Sequence, residues 1–286
     1  MVEKVELSEN IIFGDFSQSF VLLAGPCVLE GRDHALKMAE SILKIAEKMG
    51  IPFVFKSSYD KANRSSISSY RGPGIDKGLD ILSEIREEFD IPVISDVHSP
   101  EQALKAGEVL DIVQIPAFLS RQTDLVVAAG ETGKIVNVKK GQFLSPGEMK
   151  NVIKKIESTG NNKILLTERG SCFGYNKLVV DMTSLSKMRE LGYPVVFDAT
   201  HSVQLPGKAG DSSGGEREYA PVLARAAVAA GIDALFLEVH DNPLQAGSDS
   251  ATVLPLDKLE EVLTQVFVID EKMREFKGEK ILKGGV

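Results

Sequence analysis

Eight short β-rich runs recur along the 286 residues, and a helical pattern fills most of the intervals between them. The runs are residues 20–23, 52–56, 92–96, 112–115, 135–139, 164–167, 194–198 and 234–238. Strands that alternate with helices are typical of parallel βα units. Eight such units, in a chain near the roughly 250 residues of one closed barrel, favour a barrel over an open doubly wound sheet. We therefore predict an α/β protein with the (β/α)8 TIM-barrel fold.

Apolar spacing and turn chemistry predict where particular helices begin and end. Residues 35–49 carry alanine, isoleucine and methionine at helical intervals, and Gly50 predicts the end of that helix. Two strings predict helix starts, because each offers a capping serine, a proline in the first turn and an amide or acidic residue at the third position. These strings are Ser99-Pro100-Glu101-Gln102 and Ser145-Pro146-Gly147-Glu148.

Two segments fall outside the alternating pattern. Residues 1–19 contain two short apolar runs, 5–7 and 11–13, which predict a β-hairpin that covers the lower end of the barrel. Residues 202–217 are rich in glycine and offer little that could be buried, so we predict a long functional loop there. We find no linker and no low-complexity tract, and therefore expect residues 1–286 to form a single catalytic domain.

Composition excludes several classes of protein. No apolar stretch reaches the roughly 20 residues of a membrane-spanning helix, and the start of the chain lacks the pattern of a secretion signal. The two cysteines, Cys27 and Cys172, make no disulfide framework and suit a reducing compartment. The net charge of −8 argues against a general nucleic-acid-binding protein. We expect a cytoplasmic protein that acts on small molecules, with neither nucleic acid nor membrane as a partner.

Polar side chains follow every predicted strand, where barrel enzymes carry their reactive groups. They are Cys27, Lys56, Asp96 with His98, Gln114, Lys139 with Lys140, Glu168 with Arg169, Asp198 with His201, and Glu238 with His240. Polar residues at these positions could instead mark the points where strands leave the core. The chemical coherence of the whole set favours an active site over that reading.

The first chemical group is basic and comprises Lys56, Lys61, Arg64, Lys139 and Arg169. Guanidinium groups bind carboxylate and phosphate through forked hydrogen bonds, and lysine adds a compact charge. These side chains therefore predict a small substrate with several anionic groups. The alternative is ordinary solvated surface charge, which fits poorly for lysines embedded in apolar strands.

The second chemical group is a set of metal ligands of mixed softness. Cys27, His201 and Glu238 would supply a thiolate, an imidazole and a carboxylate, a combination suited to Zn or Fe(II). They lie far apart in the chain and have no local spacing signature. A cysteine after Gly25-Pro26 can equally be a small buried residue, so both readings stay open on the residues alone.

Several strings resemble the 3-deoxy-D-manno-octulosonate 8-phosphate synthase family. They are Ala24-Gly25-Pro26-Cys27, Lys56-Ser57-Ser58-Tyr59-Asp60-Lys61-Ala62-Asn63-Arg64-Ser65-Ser66, Gln114-Ile115-Pro116-Ala117-Phe118, Asn137-Val138-Lys139-Lys140-Gly141-Gln142-Phe143, Thr167-Glu168-Arg169-Gly170 and Asp198-Ala199-Thr200-His201-Ser202-Val203-Gln204-Leu205-Pro206-Gly207. The resemblance covers roughly residues 20–265. The run 61–66 is the most discriminating, because the related 7-phosphate synthases carry a Pro-Arg-Thr type string there.

This resemblance implies a transferase of lipopolysaccharide biosynthesis. It would condense phosphoenolpyruvate with D-arabinose 5-phosphate and water to give 3-deoxy-D-manno-octulosonate 8-phosphate and phosphate. Family members are (β/α)8 barrels, usually homotetramers, and those with cysteine after Gly-Pro are metal-dependent. The implied ligands of a divalent metal such as Zn, Fe(II) or Mn are Cys27, His201, Glu238 and Asp249.

The same resemblance implies roles for the remaining site residues. Phosphoenolpyruvate would be bound by Lys56, Ser58, Lys61, Gln114, Lys139, Gln142 and Arg169, and the sugar phosphate by Asn63, Arg64 and Ser65. Arg121 would reach that phosphate from a neighbouring subunit, the alternative being a salt bridge at a helix cap. The implied catalytic residues are Lys61, Asp96, His98, Lys139 and His201, with Asp96 and His98 handling protons. Residues 202–217 would close over the substrates as a lid.

Two other functions compete with this one. A 3-deoxy-D-arabino-heptulosonate 7-phosphate synthase, which uses erythrose 4-phosphate, would share the barrel and the phosphoenolpyruvate site. The Lys61-Ala62-Asn63-Arg64-Ser65 string argues against it. A catalytically inactive barrel that binds only a sugar phosphate or a protein partner is the second competitor, and the intact set of cations and ligands argues against that.

Overall fold

Eight parallel strands close into a barrel in the computed structural model, which describes residues 2–64, 66–207 and 214–276. The barrel strands are β3 (Val21–Gly25), β4 (Phe53–Lys56), β5 (Val93–Asp96), β6 (Ile112–Ile115), β7 (Ile135–Lys139), β8 (Ile164–Glu168), β11 (Val195–Asp198) and β14 (Ala234–His240). They pair in the order β11-β8-β7-β6-β5-β4-β3-β14, and pairing of β11 with β14 closes the ring. Each predicted run coincides with one barrel strand, so the (β/α)8 prediction is confirmed.

Helices surround the barrel and pack on its outer face. They are α1 (Arg32–Met49), α2 (Ile75–Phe89), α3 (Pro100–Gly107), α4 (Thr123–Glu131), α5 (Met149–Glu157), α6 (Thr183–Arg189), α7 (Ala199–Ser202), α8 (Ala220–Ala230) and α9 (Leu256–Phe276). The predicted apolar face of α1 is buried, and the helix ends at Gly50, whose φ of 65° favours glycine. None of these helices is long and apolar enough to cross a membrane.

The two predicted helix starts differ in their capping. Ser145 and Glu148 form a complete capping box on the 3₁₀ turn Pro146–Glu148, which leads into α5. Ser99 caps α3 by accepting a hydrogen bond from the backbone N–H of Gln102. The Gln102 side chain turns instead toward His98. The serine-proline pattern therefore predicts both helix starts, but it does not predict the contact of the Gln102 side chain with His98.

The N-terminal hairpin closes the lower end of the barrel, as predicted. Strands β1 (Val5–Ser8) and β2 (Ile11–Phe13) pair antiparallel, with Val5 opposite Phe13. Their buried side chains join one apolar cluster with residues inside the barrel: Val5, Ile11, Phe13, Val21, Leu23, Val54, Ile94, Ile112, Ile135, Leu165, Val196, Ala234 and Phe236. Several of these are the first residues of their strands, which places the hairpin at the amino-terminal end. The opposite end is left for the site.

Short strand pairs lie at the upper end of the barrel. Strand β9 (Ser171–Cys172) pairs with β10 (Leu178–Val179), and β15 (Leu254–Pro255) pairs parallel with the end of β14. Strand β12 (Gln204–Leu205) pairs antiparallel with β13 (Gly214–Gly215). The expectation that residues 202–217 have little to bury is wrong at their start, since residues 202–205 are buried. Residues 208–213 of the predicted lid lie outside the described residues.

Candidate active site

A cavity of about 430 Å³ opens at the carboxyl ends of the barrel strands. This volume lies in the usual range for small-molecule sites. The predicted site residues that line it are Lys56, Lys61, Asn63, Arg64, Asp96, His98, Gln114, Lys139, Gln142, Arg169, His201 and Asp249. Cys27, Ser58 and Glu238 are buried against these side chains. Ser65 lies outside the described residues. Because the strands are parallel, their carboxyl ends lie at the same end of the barrel, and the reactive side chains are brought together there.

Buried lysines stand beside one carboxylate in the floor of the cavity. Nζ of Lys56 donates to Oε1 of Glu238 at 2.9 Å, and Nζ of Lys61 lies 3.8 Å from the same oxygen. Burial works against a charge on Lys61, but its interactions with Cys27, Glu238 and Asp96 outweigh it and raise the pKa of Lys61 well above its usual value. Lys61 therefore remains charged although it is buried.

Two further cations face the cavity from β7 and the end of β8. Nζ of Lys139 donates to Asp198 at 2.6 Å and sits 3.8 Å from the centre of the Phe236 ring. Burial lowers the pKa of Lys139 despite the charge of Asp198. Arg169 donates through Nη2 to Gln204 at 2.7 Å, and its buried Nη1 has no hydrogen-bond partner among the described residues. A buried donor without a partner on a cavity wall is suited to an anion.

Three of the four predicted metal ligands converge although they come from distant parts of the chain, and His201 adjoins this group through Glu238. Ligand atoms of Cys27, Glu238 and Asp249 all lie within 4.8 Å of one another. Sγ of Cys27 lies 3.0 Å from Oδ2 of Asp249, and Nε2 of His201 lies 3.5 Å from Oε2 of Glu238. That Glu238 oxygen is buried and has no hydrogen-bond partner in the described part of the chain. One thiol, one imidazole and two carboxylates fit a divalent transition metal.

Neighbouring side chains affect the proton position on His201 and the pKa of Cys27, and both bear on cation binding. Asp198 lies 2.7 Å from Nδ1 of His201 and can hold the proton on that nitrogen, which leaves Nε2 available as a ligand. Burial raises the pKa of the Cys27 thiol, and the carboxylates of Asp249 and Glu238 raise it further. A bound cation would reverse this balance, because it would favour the thiolate.

Asp96 and His98 form a pair beside the lysines. Nε2 of His98 lies 3.1 Å from Oδ2 of Asp96, while the Ser58 hydroxyl donates to the other carboxylate oxygen. Burial works to raise the pKa of Asp96, but His98, Lys61 and Lys56 hold it well below the usual value. The carboxylate is therefore ionised across the neutral pH range.

Arg64 crosses the cavity to the loop that follows β14. It donates through Nη1 to the Ser248 hydroxyl at 2.6 Å and through Nη2 to the Gly247 carbonyl at 3.1 Å. Its buried Nε has no hydrogen-bond partner among the described residues. Arg64 therefore connects the cavity wall with the segment that carries Asp249.

Arg121 is exposed and is absent from the described residues that line the cavity of its own chain. Its backbone carbonyl accepts a hydrogen bond from Lys155 at 2.9 Å. Its guanidinium forms no ion pair with any residue in the described ranges, although Glu148 of the capping box is near enough to feel its charge. The alternative of a helix-cap interaction stays a prediction. Phe118, which precedes it by one turn, is also half exposed.

Gln204 is the principal site residue that sequence reasoning missed. Its Nε2 donates to Oδ1 of Asp249 at 2.6 Å, and its Oε1 accepts from Arg169. It therefore links the metal ligands to the cation group. Its position three residues after His201, in a string that carries the family resemblance, is the available signal. Glycine-rich surroundings conceal that it is buried.

Nearly the whole chain matches known proteins of one family. A model described as the DAHP synthetase I family matches residues 3–275. The chain is 57% identical over 274 residues to a 2-dehydro-3-deoxyphosphooctonate aldolase of Rickettsia prowazekii (strain Madrid E), covering 96% of this chain and 99% of the relative. It is 59% identical over 272 residues to a protein of the same name from Synechococcus sp., covering 95% of each chain. A third, from Trichlorobacter lovleyi, is 58% identical over 269 residues, 94% of this chain and 99% of the relative. The chain belongs to the DAHP synthetase I family and, within it, to the 2-dehydro-3-deoxyphosphooctonate aldolases.

Proposed function

We propose that this protein condenses phosphoenolpyruvate with D-arabinose 5-phosphate and water, giving 3-deoxy-D-manno-octulosonate 8-phosphate and phosphate. The observation that carries the proposal is the single cavity in which buried cations stand beside a thiol, an imidazole and two carboxylates. The names of the relatives agree with it. The product would enter lipopolysaccharide biosynthesis in the cytoplasm.

Phosphoenolpyruvate takes the deep end of the cavity. Lys61, Lys139 and Arg169 surround its phosphate and carboxylate, and the partnerless Nη1 of Arg169 supports this assignment. The supporting residues are Lys56, Ser58, Gln114 and Gln142. Several fixed cations favour this substrate, because it carries two anionic groups on three carbons.

The sugar phosphate takes the outer end, where Asn63, Arg64 and Ser65 bind its phosphate. Nε of Arg64 has no hydrogen-bond partner in the described part of the chain, and its Nη1 already reaches Ser248. Arg121 reaches the same phosphate from a neighbouring subunit of a homotetramer. Its exposure, together with that of Phe118, supports a role outside its own chain.

The reaction joins two anions, so orientation supplies much of the rate. The enol carbon of phosphoenolpyruvate attacks the aldehyde carbon, and water adds to the carbon that bears the phosphate. Phosphate then leaves with cleavage of that carbon–oxygen bond. Lys61 and Lys139 stabilise the negative charge, while Asp96 and His98 handle the protons.

Cys27, His201, Glu238 and Asp249 would hold a divalent ion such as Zn, Fe(II) or Mn. When bound, this ion would supply Lewis acidity or fix the position of water and aldehyde. Asp198 orients His201 through Nδ1, and Gln204 orients Asp249. These contacts hold the ligands in place before an ion arrives.

A direct test mixes the purified protein with phosphoenolpyruvate and either arabinose 5-phosphate, ribose 5-phosphate or erythrose 4-phosphate. Phosphate release is measured with and without a chelator. We expect turnover with arabinose 5-phosphate that the chelator abolishes and added metal restores. Faster turnover with erythrose 4-phosphate would make the protein a 7-phosphate synthase. Binding without phosphate release would make it an inactive barrel.

Variants separate the two substrate sites. Arg64→Ala should raise the Michaelis constant for the sugar phosphate at least tenfold and leave that for phosphoenolpyruvate nearly unchanged, because a charge-assisted contact contributes about 1.5–3 kcal/mol. Arg225→Ala is the matched control, since Arg225 bonds Gln265 on the outer surface. An unchanged constant in Arg64→Ala would remove Arg64 from the sugar-phosphate site.

A further inference from the structure

Gln102 uses its side chain in a way that helix capping does not explain. It is the third residue of α3, and its backbone N–H donates to the Ser99 hydroxyl. Its Oε1 faces three donors on another part of the site: the Tyr59 hydroxyl at 3.0 Å, the backbone N–H of His98 at 3.0 Å and Nδ1 of His98 at 3.2 Å. The amide therefore belongs to the surroundings of His98.

The partners of His98 fix the protons on its ring. A backbone N–H can only donate, so the Gln102 atom that faces it is the carbonyl oxygen, which accepts. Nδ1 meets that same oxygen and bonds to it only if Nδ1 carries a proton. Nε2 faces the ionised carboxylate of Asp96 at 3.1 Å and needs a proton for the same reason. A ring with both nitrogens protonated is an imidazolium.

We propose that Gln102 is a positioning residue that holds His98 as an imidazolium, so that His98 serves the condensation as a proton donor and not as a base. The inference rests on the proposed function for the role of the proton. The protonation state itself follows from contacts within the protein.

The charges around His98 agree with this state. Burial works against a positive ring, but the hydrogen bond and charge of Asp96 outweigh it, with further help from Asp60 and Gln102, and the pKa of His98 is raised. Tyr59 packs its ring edge-on at 6.1 Å between centroids and contributes no charge. Lys56 and Lys61 act through Asp96, which they help to keep ionised.

The arrangement also selects which proton can leave. When the enol carbon attacks, the electron pair of the carbonyl π bond moves to the aldehyde oxygen, which then needs a proton. Both protons face an acceptor, but Asp96 beside Nε2 lines the cavity, whereas Gln102 beside Nδ1 is not among the described residues that line it. The Nε2 proton is therefore the one held at the cavity. Loss of the Nε2 proton leaves a neutral ring that keeps its hydrogen bond to Gln102.

NMR titration of the histidine rings tests the protonation state without any substrate. The chain has four histidines, and His98→Gln assigns the signal. We expect His98 to be protonated at pH 7, because its pKa is raised from the usual value of about 6.5. Gln102→Leu should lower the pKa of His98 by about one unit, the effect of losing one hydrogen bond. Gln102→Glu should raise it, because the new carboxylate accepts more strongly. A neutral His98 at pH 7 in the unaltered protein would overturn the inference.

Ser99→Ala is the matched control, because it removes the cap of α3 and leaves the Gln102 amide in place. The pKa of His98 should not move in this variant, and an equal shift in both variants would overturn the inference. A kinetic arm then follows kcat/KM against pH. The alkaline limb should move down with the pKa in Gln102→Leu, and an unmoved limb would remove His98 as the donor. The titration is readable even if arabinose 5-phosphate is not a substrate.

Discussion

Two lysines and a histidine share the buried carboxylate of Glu238. Lys56 donates to it at 2.9 Å, and Lys61 and His201 lie 3.8 and 3.5 Å away. Burial works to raise the pKa of Glu238, but its interactions with His201, Lys56 and Lys61 hold it well below the usual value. Removing one partner of a buried ion pair leaves the other charge without compensation, which is costly in a low dielectric.

Glu238→Gln should therefore lower the free energy of unfolding by about 3–5 kcal/mol. Urea unfolding of chelator-treated protein measures this effect apart from metal binding. Glu260→Gln is the control, since the Lys48–Glu260 pair is largely exposed and should contribute at most about 1 kcal/mol. Equal losses in the two variants would contradict the account of a charged cavity floor.

Cys27 and Cys172 allow a second test at the scale of single residues. Cys27→Ser keeps a small polar side chain beside Asp249 but removes the soft ligand, so we expect the bound metal and most of the activity to be lost. Metal content per subunit after dialysis is the measurement. The exposed Cys172 gives the control variant Cys172→Ser, which should retain both. Full turnover by metal-free wild-type protein would exclude a catalytic role for the ion.

Many of the candidate site residues could be predicted from their positions at strand ends. In a parallel barrel, the residues that follow each strand lie at the same end. Asp96, Lys139 and His201 are found there for that reason. Gln102 and Gln204 could not be predicted in the same way. The partner of each amide depends on the direction in which packing turns the side chain. For Gln102, the capping pattern predicted a contact at the start of α3 instead of the contact with His98.

Among the elements, the N-terminal hairpin has a structural role that can be separated from the chemistry. Phe13 is fully buried within the lower end of the barrel, at the opposite end from the cavity. Phe13→Ala should lower the free energy of unfolding by about 3–5 kcal/mol, because it leaves a cavity among apolar side chains. The Michaelis constants should stay unchanged. Thermal unfolding and steady-state kinetics measure the two effects.

Ile12→Ala is the control for the hairpin, because Ile12 points to the more exposed face of the same strand. It should cost less than Phe13→Ala. A large rise in a Michaelis constant in Phe13→Ala would indicate that the two ends of the barrel are linked.

The barrel and its hairpin were predictable because both rest on periodicity and turn residues. Apolar runs predict the strands, Gly50 predicts the end of α1, and Ser99-Pro100 predicts the start of α3. The pairing of β12 with β13 was not predictable, since glycines at 214 and 215 carry no apolar alternation. Gly215 is required by close packing, as a Cβ there would lie 2.2 Å from the Thr252 side chain.

At the scale of the whole molecule, an acidic protein encloses a basic cavity. The net charge of −8 is spread over the chain, while the cavity concentrates lysine and arginine. A small anion that fits the cavity can contact these cations directly. A polyanion such as DNA is too large to enter and is repelled by the acidic outer surface. Size and charge together therefore select the class of substrate.

Assembly is the last component of the proposed site, because Arg121 is exposed and is not among the described residues that line the cavity of its own chain. Arg64→Ala and Arg121→Ala chains should each be impaired with the sugar phosphate. If the two are unfolded together and refolded as mixed oligomers, some cavities combine an intact Arg64 with an intact Arg121 from the neighbour. Random mixing makes roughly one quarter of the cavities complete in a symmetric assembly. Activity should rise toward that fraction, whereas no gain over the separate variants would place Arg121 outside the site.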